Sequence, residues 1–346
     1  MMLYRVDDYP YERIPAPLLA WYDQEKRDLA WRKNSDPYRV WVSEIMLQQT
    51  RVEAVKEYYD RFMRALPTVE ALASVDEEKL LKLWEGLGYY SRARNLQKAA
   101  KLVVASGGFP CEPKELEKLP GIGGYTAGAI ASIAFGKRTP AVDGNVFRVL
   151  SRLTENPTVI SEPKYRAYLE EKLGEIYPEE GKRCSDFTQS LMELGALVCK
   201  PTSPDCEVCP LSSVCRVRVS GRQGEFPVLP EKKAKREEKL FVFLLVKNGG
   251  VYVEKRTSGL LKGMYGFPTA QKEGRSAEEI LKEWGVSAFT KKKEGRFTHI
   301  FTHVKWEMEC LVFEVSDAPF LWVSGEALER EVSLPTAFKQ CVRMLP

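Results

Sequence analysis

Leu119-Pro120-Gly121-Ile122-Gly123-Gly124-Tyr125-Thr126-Ala127 joins two stretches of helical periodicity inside a longer region, residues 14–200, that reads as helix after helix. Glycine at 121 and 123 lets the backbone turn tightly and approach a ligand closely. Amides left open at the start of the following helix can hold a phosphate without reading any base. A plain turn between helices is the other reading of the same residues.

Outward from this turn, apolar residues recur at helical spacing over 38–66, 78–84, 92–104, 127–135, 146–153, 165–173 and 186–198. Proline and glycine signals such as Leu66-Pro67, Gly107-Gly108 and Asn156-Pro157 separate them. No alternating pattern is convincing before residue 239. Residues 240–247 and 251–255 then read as a hairpin around Asn248-Gly249-Gly250. A helix is expected over 276–284, one or two long strands over 297–315 and a closing helix over 335–344. The fold class is therefore an all-α domain at 1–218, a basic linker at 219–238 and a smaller α+β domain at 239–346.

Composition narrows the function classes. The 346 residues carry 44% hydrophobic and 29% charged side chains, an ordinary globular balance. No apolar run is long enough for a membrane span. Residues 1–10 lack the basic-then-apolar order of a secretory leader, so an intracellular protein is expected. The net charge of +4 does not diagnose a polyanion partner. Residues 216–239 hold eight Lys or Arg against four Glu, and this window accounts for the whole excess. A solvated linker is its ordinary reading. Any affinity for DNA must come from local patches, backbone amides and helix termini.

Cys199, Cys206, Cys209 and Cys215 have the spacing C-x6-C-x2-C-x5-C. Four thiols crowded into one loop, with no leader, point to metal rather than disulfides. Zinc and iron–sulfur both accept four thiolates. The single C-x2-C knuckle favours iron–sulfur, with zinc still open. Cys111, Cys184, Cys310 and Cys341 are dispersed and read as buried structural thiols.

Two carboxylates keep unusual company. On a helix, Glu44 neighbours Val40, Trp41, Leu47 and Gln48, and three of these are apolar. Desolvation would raise its pKa and suit it to general acid work; a first-turn Glu facing the helix dipole is the bland alternative. Asp143, in Val142-Asp143-Gly144-Asn145-Val146, precedes a helix starting near Asn145. It can be a simple N-cap, or an anion held by helix amides near a developing cation.

Taken together, these features resemble the helix-hairpin-helix glycosylase superfamily, and within it the MutY-type adenine DNA glycosylases. Leu47-Gln48-Gln49-Thr50-Arg51-Val52 is similar to the family's LQQT-x-V segment. Trp84-Glu85-Gly86-Leu87-Gly88-Tyr89-Tyr90-Ser91-Arg92-Ala93-Arg94-Asn95-Leu96 is similar to its GLGYYxRARNL segment. The hairpin, residues 142–146, Met192-Glu193-Leu194-Gly195-Ala196 and the cysteine spacing match as well, so the resemblance spans essentially the whole chain.

The resemblance implies a monofunctional glycosylase with a [4Fe–4S] cluster on the four cysteines. Its partner would be double-stranded DNA with 8-oxoguanine:adenine or guanine:adenine mispairs, bound by a monomer. Glu44 would protonate adenine and then help activate water, and Asp143 would stabilise the sugar cation. Tyr125 and Asn145 would line the site. Endonuclease III-like relatives carry Lys where Tyr125 stands, so strand cleavage through a Schiff base is not expected. The target base must be flipped out of the duplex. Leu47, Gln49, Thr50 and Tyr89 fall among implied DNA contacts, Gly121 and Gly123 at the phosphate turn, and Trp31, Arg32 and Gln189 near adenine. Ala30 stands where the family more often has Pro.

Phe301, Thr302 and His303 resemble the Phe-Ser-His loop that meets 8-oxoguanine, with Thr302 in place of Ser. The second domain resembles the family's Nudix-like module but lacks a G-x5-E-x7-R-E box, so pyrophosphate hydrolysis is not expected. The alternatives are a bifunctional glycosylase/lyase and a non-catalytic iron–sulfur DNA-binding protein.

Overall fold

A computed structural model describes residues 8–231 and 234–346. Residues 1–7, with most of the stretch searched for a leader, and Lys232 and Lys233 of the expected linker lie outside the described residues. The described chain divides into two compact units: residues 8–74 with 95–231, and residues 75–94 with 234–346.

The first unit is helical. It holds α1 (Pro15–Glu25), α2 (Pro37–Leu47), α3 (Val52–Ala65) and α4 (Val69–Ser74). The segment 75–94 belongs to the second unit and holds α5 (Glu77–Leu83) and the start of α6 (Ser91–Ala105). The first unit resumes with the rest of α6, α7 (Pro113–Leu116), α8 (Gly124–Phe135), α9 (Gly144–Thr154), α10 (Pro163–Ile176), α11 (Lys182–Leu197) and α12 (Arg216–Ser220). The continuous periodicity over 38–66 resolves into two helices. The chain breaks at Gln48–Arg51, where Gln49 takes a left-handed φ of 58° that a helix cannot contain.

Helices α9, α10 and α11 pack around Val146, Leu150, Tyr165, Leu169, Phe187 and Leu191, all buried. Helix α11 approaches α9 so closely that a Cβ on Gly195 would lie 2.5 Å from the Cβ of Asn145. Only glycine fits there. No helix among the described residues is long and apolar enough to cross a membrane.

Part of the stretch expected as a linker is packed. Phe226 is buried, its carbonyl accepts from Arg152 Nε at 2.9 Å, and the carbonyl of Val228 accepts from the Ile160 amide at 3.0 Å. Of the described basic residues over 216–239, four pair with acids: Arg216 with Asp8, Arg218 with Glu207, Arg222 with Glu155 and Glu225, and Arg236 with Glu238.

The second unit is built on a mixed sheet. Its described strands are β1 (Arg236–Lys247), β2 (Gly250–Lys255), β3 (Tyr265–Gly266), β4 (Thr269–Gln271), β5 (Phe289–Ile300), β6 (Val304–Val315) and β7 (Leu321–Ser324). The main order is β3-β2-β1-β6-β5, with β4 against β1 and β7 against β2. Strands β1 and β6 run parallel, and the other pairs are antiparallel. The expected β1–β2 hairpin forms around Asn248 and Gly249, both at positive φ.

Both faces of β1 are buried, in alternation. Leu240, Val242 and Leu244 meet Trp306, Met308 and Phe338 on one side. Phe241, Phe243 and Leu245 meet Phe313 and, from α13 (Ala277–Glu283), Ile280 and Leu281 on the other. Helices α14 (Gly325–Arg330) and α15 (Thr336–Val342) complete the unit.

Candidate active site

Helix α2 starts from a sound cap. The Asp36 carboxylate accepts from the Arg39 amide at 2.9 Å, and Pro37 occupies the first turn. Eight residues of the helix, Tyr38 and 40–46, are buried with only Arg39 intervening, and Glu44 is 6% exposed among them. It is not in the first turn, so a dipole role does not explain it. Burial pushes its carboxyl up to about 7, countered by a hydrogen bond from Tyr125 and reinforced by the negative charge of Asp143. Tyr125 Oη donates to Glu44 Oε2 at 2.7 Å. Burial and the two carboxylates raise the Tyr125 phenol well above its ordinary value.

Asp143 caps α9. Its Oδ1 accepts from the Val146 amide at 2.7 Å and its Oδ2 from Asn145 Nδ2 at 3.0 Å. Burial raises its carboxyl, while these two donors pull it back down. Asn145 is itself held, because Arg148 Nη2 donates to its Oδ1 at 2.9 Å and to the carbonyl of Gly195 at 2.8 Å. The capping and the anion-holding readings of Asp143 are therefore one arrangement.

These groups line a single cleft of about 860 Å³. Of the residues singled out in the sequence, Trp31, Arg32, Glu44, Leu47, Gln49 and Thr50 line it. Tyr125, Asp143, Asn145 and Gln189 do so from the other helices. That volume accommodates a nucleobase. Gln189 Nε2 donates to Ser185 Oγ at 3.1 Å.

Sequence reasoning missed a charged cluster in the same cleft. Glu193, 1% exposed, accepts from Arg27 Nε at 2.8 Å, Arg27 Nη2 at 2.7 Å and Arg32 Nη2 at 2.8 Å. Burial alone would raise its carboxyl, but the two guanidinium groups hold it at about 2. The available signal was an acid within the apolar run of α11, which requires a buried cation as partner.

The two glycines of the hairpin turn differ in conformation. Gly121 has a φ of +81°, and Asn95 approaches to 2.8 Å of where its Cβ would stand. Gly123 is extended, at φ −98°, with open space around it; its role is to start α8, not to permit a left-handed turn. No side chain caps α8, which leaves its first amides available.

The four cysteines gather around one space beside Arg152. Arg152 Nη1 donates to Cys199 Sγ at 3.4 Å, and Arg148 Nε to the Cys199 carbonyl at 2.7 Å. Burial raises the Cys209 thiol to about 12, and the other three sulfurs add to the rise. Among the described residues, no three His, Cys, Asp or Glu converge on a point that would hold a single metal ion.

Tyr89, Phe301, Thr302 and His303 do not line the cleft; they belong to the second unit. Phe301 packs edge-on between His299 and Trp306, and its amide donates to the Val304 carbonyl at 2.8 Å, closing the β5–β6 turn. This leaves Thr302 and His303 exposed. Tyr89, from a distant part of the chain, meets Thr302: the two hydroxyl oxygens are 2.5 Å apart.

Comparison with known proteins finds matches for both parts of the chain. Residues 42–175 match the HhH-GPD superfamily of base excision DNA repair proteins, and residues 241–344 match the NUDIX domain. An adenine DNA glycosylase from Mus musculus is 34% identical over 94% of this chain and 76% of its own length. Its Rattus norvegicus counterpart is 36% identical over 94% and 77%. Among solved structures, a thermostable thymine-DNA glycosylase superimposes with a TM-score of 0.54 at 29% identity, over 61% of this chain and 97% of that one. With a glycosylase-like helical unit, a NUDIX-type sheet and relatives of this identity over most of their length, the chain belongs to the adenine DNA glycosylase family.

Proposed function

We propose that this protein is a monofunctional DNA glycosylase of base excision repair, acting inside the cell as a monomer. It removes adenine mispaired with 8-oxoguanine or guanine and leaves an abasic site. The observation that carries this reading is the pair of carboxylates in one cleft, Glu44 with its carboxyl held near 7 and Asp143 held by the Val146 amide and Asn145.

Adenine enters the cleft after flipping out of the duplex, and Trp31, Arg32 and Gln189 border it. The Arg27–Glu193–Arg32 cluster fixes the wall from which Arg32 projects. Glu44, with about half of the molecules carrying the proton at pH 7, donates it to the adenine ring, so that the base departs neutral. Positive charge then develops on the sugar. The Asp143 carboxylate stabilises it, oriented by the Val146 amide and Asn145. Glu44, now anionic and accepting from Tyr125, takes a proton from the incoming water. Tyr125 has no amine for a Schiff base, so the strand stays intact.

Supporting contacts follow the same reading. The turn at Gly121–Gly123 and the uncapped start of α8 hold a backbone phosphate. Leu47, Gln49 and Thr50 face the duplex. Tyr89, Phe301, Thr302 and His303 meet the base opposite adenine. We assign catalysis to the all-α domain expected at 1–218, less residues 75–94, and lesion recognition to the domain expected at 239–346 together with 75–94, the connection at 219–238 being partly packed on the helical unit.

Cys199, Cys206, Cys209 and Cys215 fit a [4Fe–4S] cluster. Four sulfurs line one space, and Arg152 offsets thiolate charge. When bound, such a cluster supplies four iron–thiolate bonds that cross-link residues 199–215.

Incubating the protein with an 8-oxoguanine:adenine duplex tests the proposal. Free adenine should appear, with strand breaks only after alkali and no efficient borohydride trapping. Strand cleavage without alkali, or trapping comparable to a lysine enzyme, would assign it to the bifunctional class. Adenine release undiminished by Glu44→Gln would remove the proposed acid.

A further inference from the structure

Tyr89 stands in an unusual backbone conformation. Its φ is +50°, in the left-handed region that a bulky side chain rarely occupies, and it follows Gly88 at +73°. Its ring is 45% exposed. A half-exposed aromatic does not stay in such a conformation unless the surrounding structure imposes it.

One side chain contributes several of the restraints. The Arg92 guanidinium lies 5.5 Å from the ring centroids of both Trp84 and Tyr89. Its Nη2 donates to the carbonyls of Leu87 and Gly88, each at 3.2 Å. The Gly88 carbonyl also accepts from Trp84 Nε1 at 3.1 Å, and the Arg92 amide donates to the Tyr89 carbonyl at 2.8 Å. Arg92 thus touches the ring, two carbonyls before it and the carbonyl after its Cα. Burial pushes the guanidinium down to about 10, so it is still cationic at neutral pH and retains its attraction to both rings.

We propose that Arg92 is a positioning residue for recognition of the base opposite adenine: it holds Tyr89 in the left-handed conformation that brings the tyrosine hydroxyl to Thr302. The inference rests on the proposed role of Tyr89 and Thr302. The proposed effect of Arg92 on recognition passes through Tyr89. Lysine replaces Arg92 only in part, because a compact ammonium lacks the flat guanidinium that lies near both rings while one of its nitrogens reaches the two carbonyls.

The full chain and the variants Arg92→Met, Arg92→Lys, Tyr89→Ala and Arg92→Met/Tyr89→Ala provide the test. Single-turnover adenine release is measured on 8-oxoguanine:adenine and guanine:adenine duplexes, and the ratio of the two rates is compared. The ratio is internal to each preparation, so a loss of folded protein does not move it. Arg92→Met should lower the ratio about tenfold and Arg92→Lys by less, from loss of a cation–π contact and two charged hydrogen bonds. Added to Tyr89→Ala, Arg92→Met should lower it no further. Equal loss on both duplexes, or a further drop in the double variant, overturns the positioning role. A drop with Tyr89→Ala and none with Arg92→Met overturns it while sparing the reading of Tyr89. An unchanged ratio in Tyr89→Ala overturns both.

Discussion

Replacing Tyr125 with phenylalanine should move the alkaline limb of the pH–rate profile to higher pH. In the free protein Glu44 titrates near 7, raised by burial and lowered by the hydrogen bond from Tyr125. A general acid works in its protonated form, so the rate falls as pH rises through that value. At pH 8 about one molecule in eleven still carries the proton, so adenine release should be roughly tenfold below its plateau. Phenylalanine keeps the apolar bulk of the site but removes a donor that favours the carboxylate. A hydrogen bond to a charged group contributes about 1.5–3 kcal/mol. At about 1.36 kcal/mol per pH unit, the limb should move up by about one to two pH units. At pH 8.5, with a movement of one unit, the variant should keep about eight times more of its own plateau rate than the parent keeps. The assay is adenine release with DNA below saturation, so that the profile reports groups in the free protein. Normalising each profile to its plateau removes any loss of absolute rate. An alkaline limb that stays in place or moves to lower pH in Tyr125→Phe would refute the reasoning.

Three further outcomes follow from the same geometry. Glu44→Gln should stabilise the helical unit at alkaline pH: the folded carboxyl titrates near 7 against 4.5 ordinarily, so ionisation costs about 3 kcal/mol of stability, absent below pH 4.5 and complete above 7. By urea unfolding, the advantage of the variant should grow by about 2 kcal/mol between pH 5.5 and 8, and a pH-independent difference would contradict the sign. Gly195→Ala forces its Cβ to 2.5 Å from that of Asn145, so it should destabilise by about 1–3 kcal/mol and abolish adenine release even where the protein remains folded; full activity in the folded variant would show that Asn145 does not need this seat. Cys209→Ser should purify with markedly less iron and sulfide than the parent, and equal metal content would remove Cys209 from the ligand set.

What was legible in the sequence was local. The glycine turn before Tyr125, the cap at Asp143, the apolar neighbours of Glu44 and the cysteine spacing each lie within a few residues, where periodicity and turn chemistry apply directly. The break at Gln48–Arg51 was not legible, because apolar spacing continues across it while Gln49 turns left-handed. Nor was the parallel pairing of β1 with β6, since four strands intervene between them in the chain. The partners of Glu193 lie 161 and 166 residues away, and Thr302 lies 213 residues from Tyr89. Segment 75–94 belongs to the second unit through contacts no local pattern encodes. Lys82 Nζ donates to the carbonyls of Glu329 and Val332, Ser333 Oγ to that of Leu81, and Arg94 Nη2 to that of Gly263.

The different tasks of the two carboxylates follow from where each sits on its helix. Within a helix every backbone amide is already committed to the carbonyl four residues back. Glu44, at the eighth of the eleven positions of α2, therefore has no helix amide to neutralise a negative charge; the Tyr125 hydroxyl donates to it and the Arg32 charge favours its ionised form. Asp143 sits where α9 begins, where amides are unpaired and the helix dipole is positive. It takes the Val146 amide and the Asn145 side chain as donors. Burial acts on both carboxylates in the same direction; the supply of donors separates them. Backbone position, more than residue type, therefore sets how many donors each carboxylate receives, and that difference is what the proposed roles of proton donor and anion rest on.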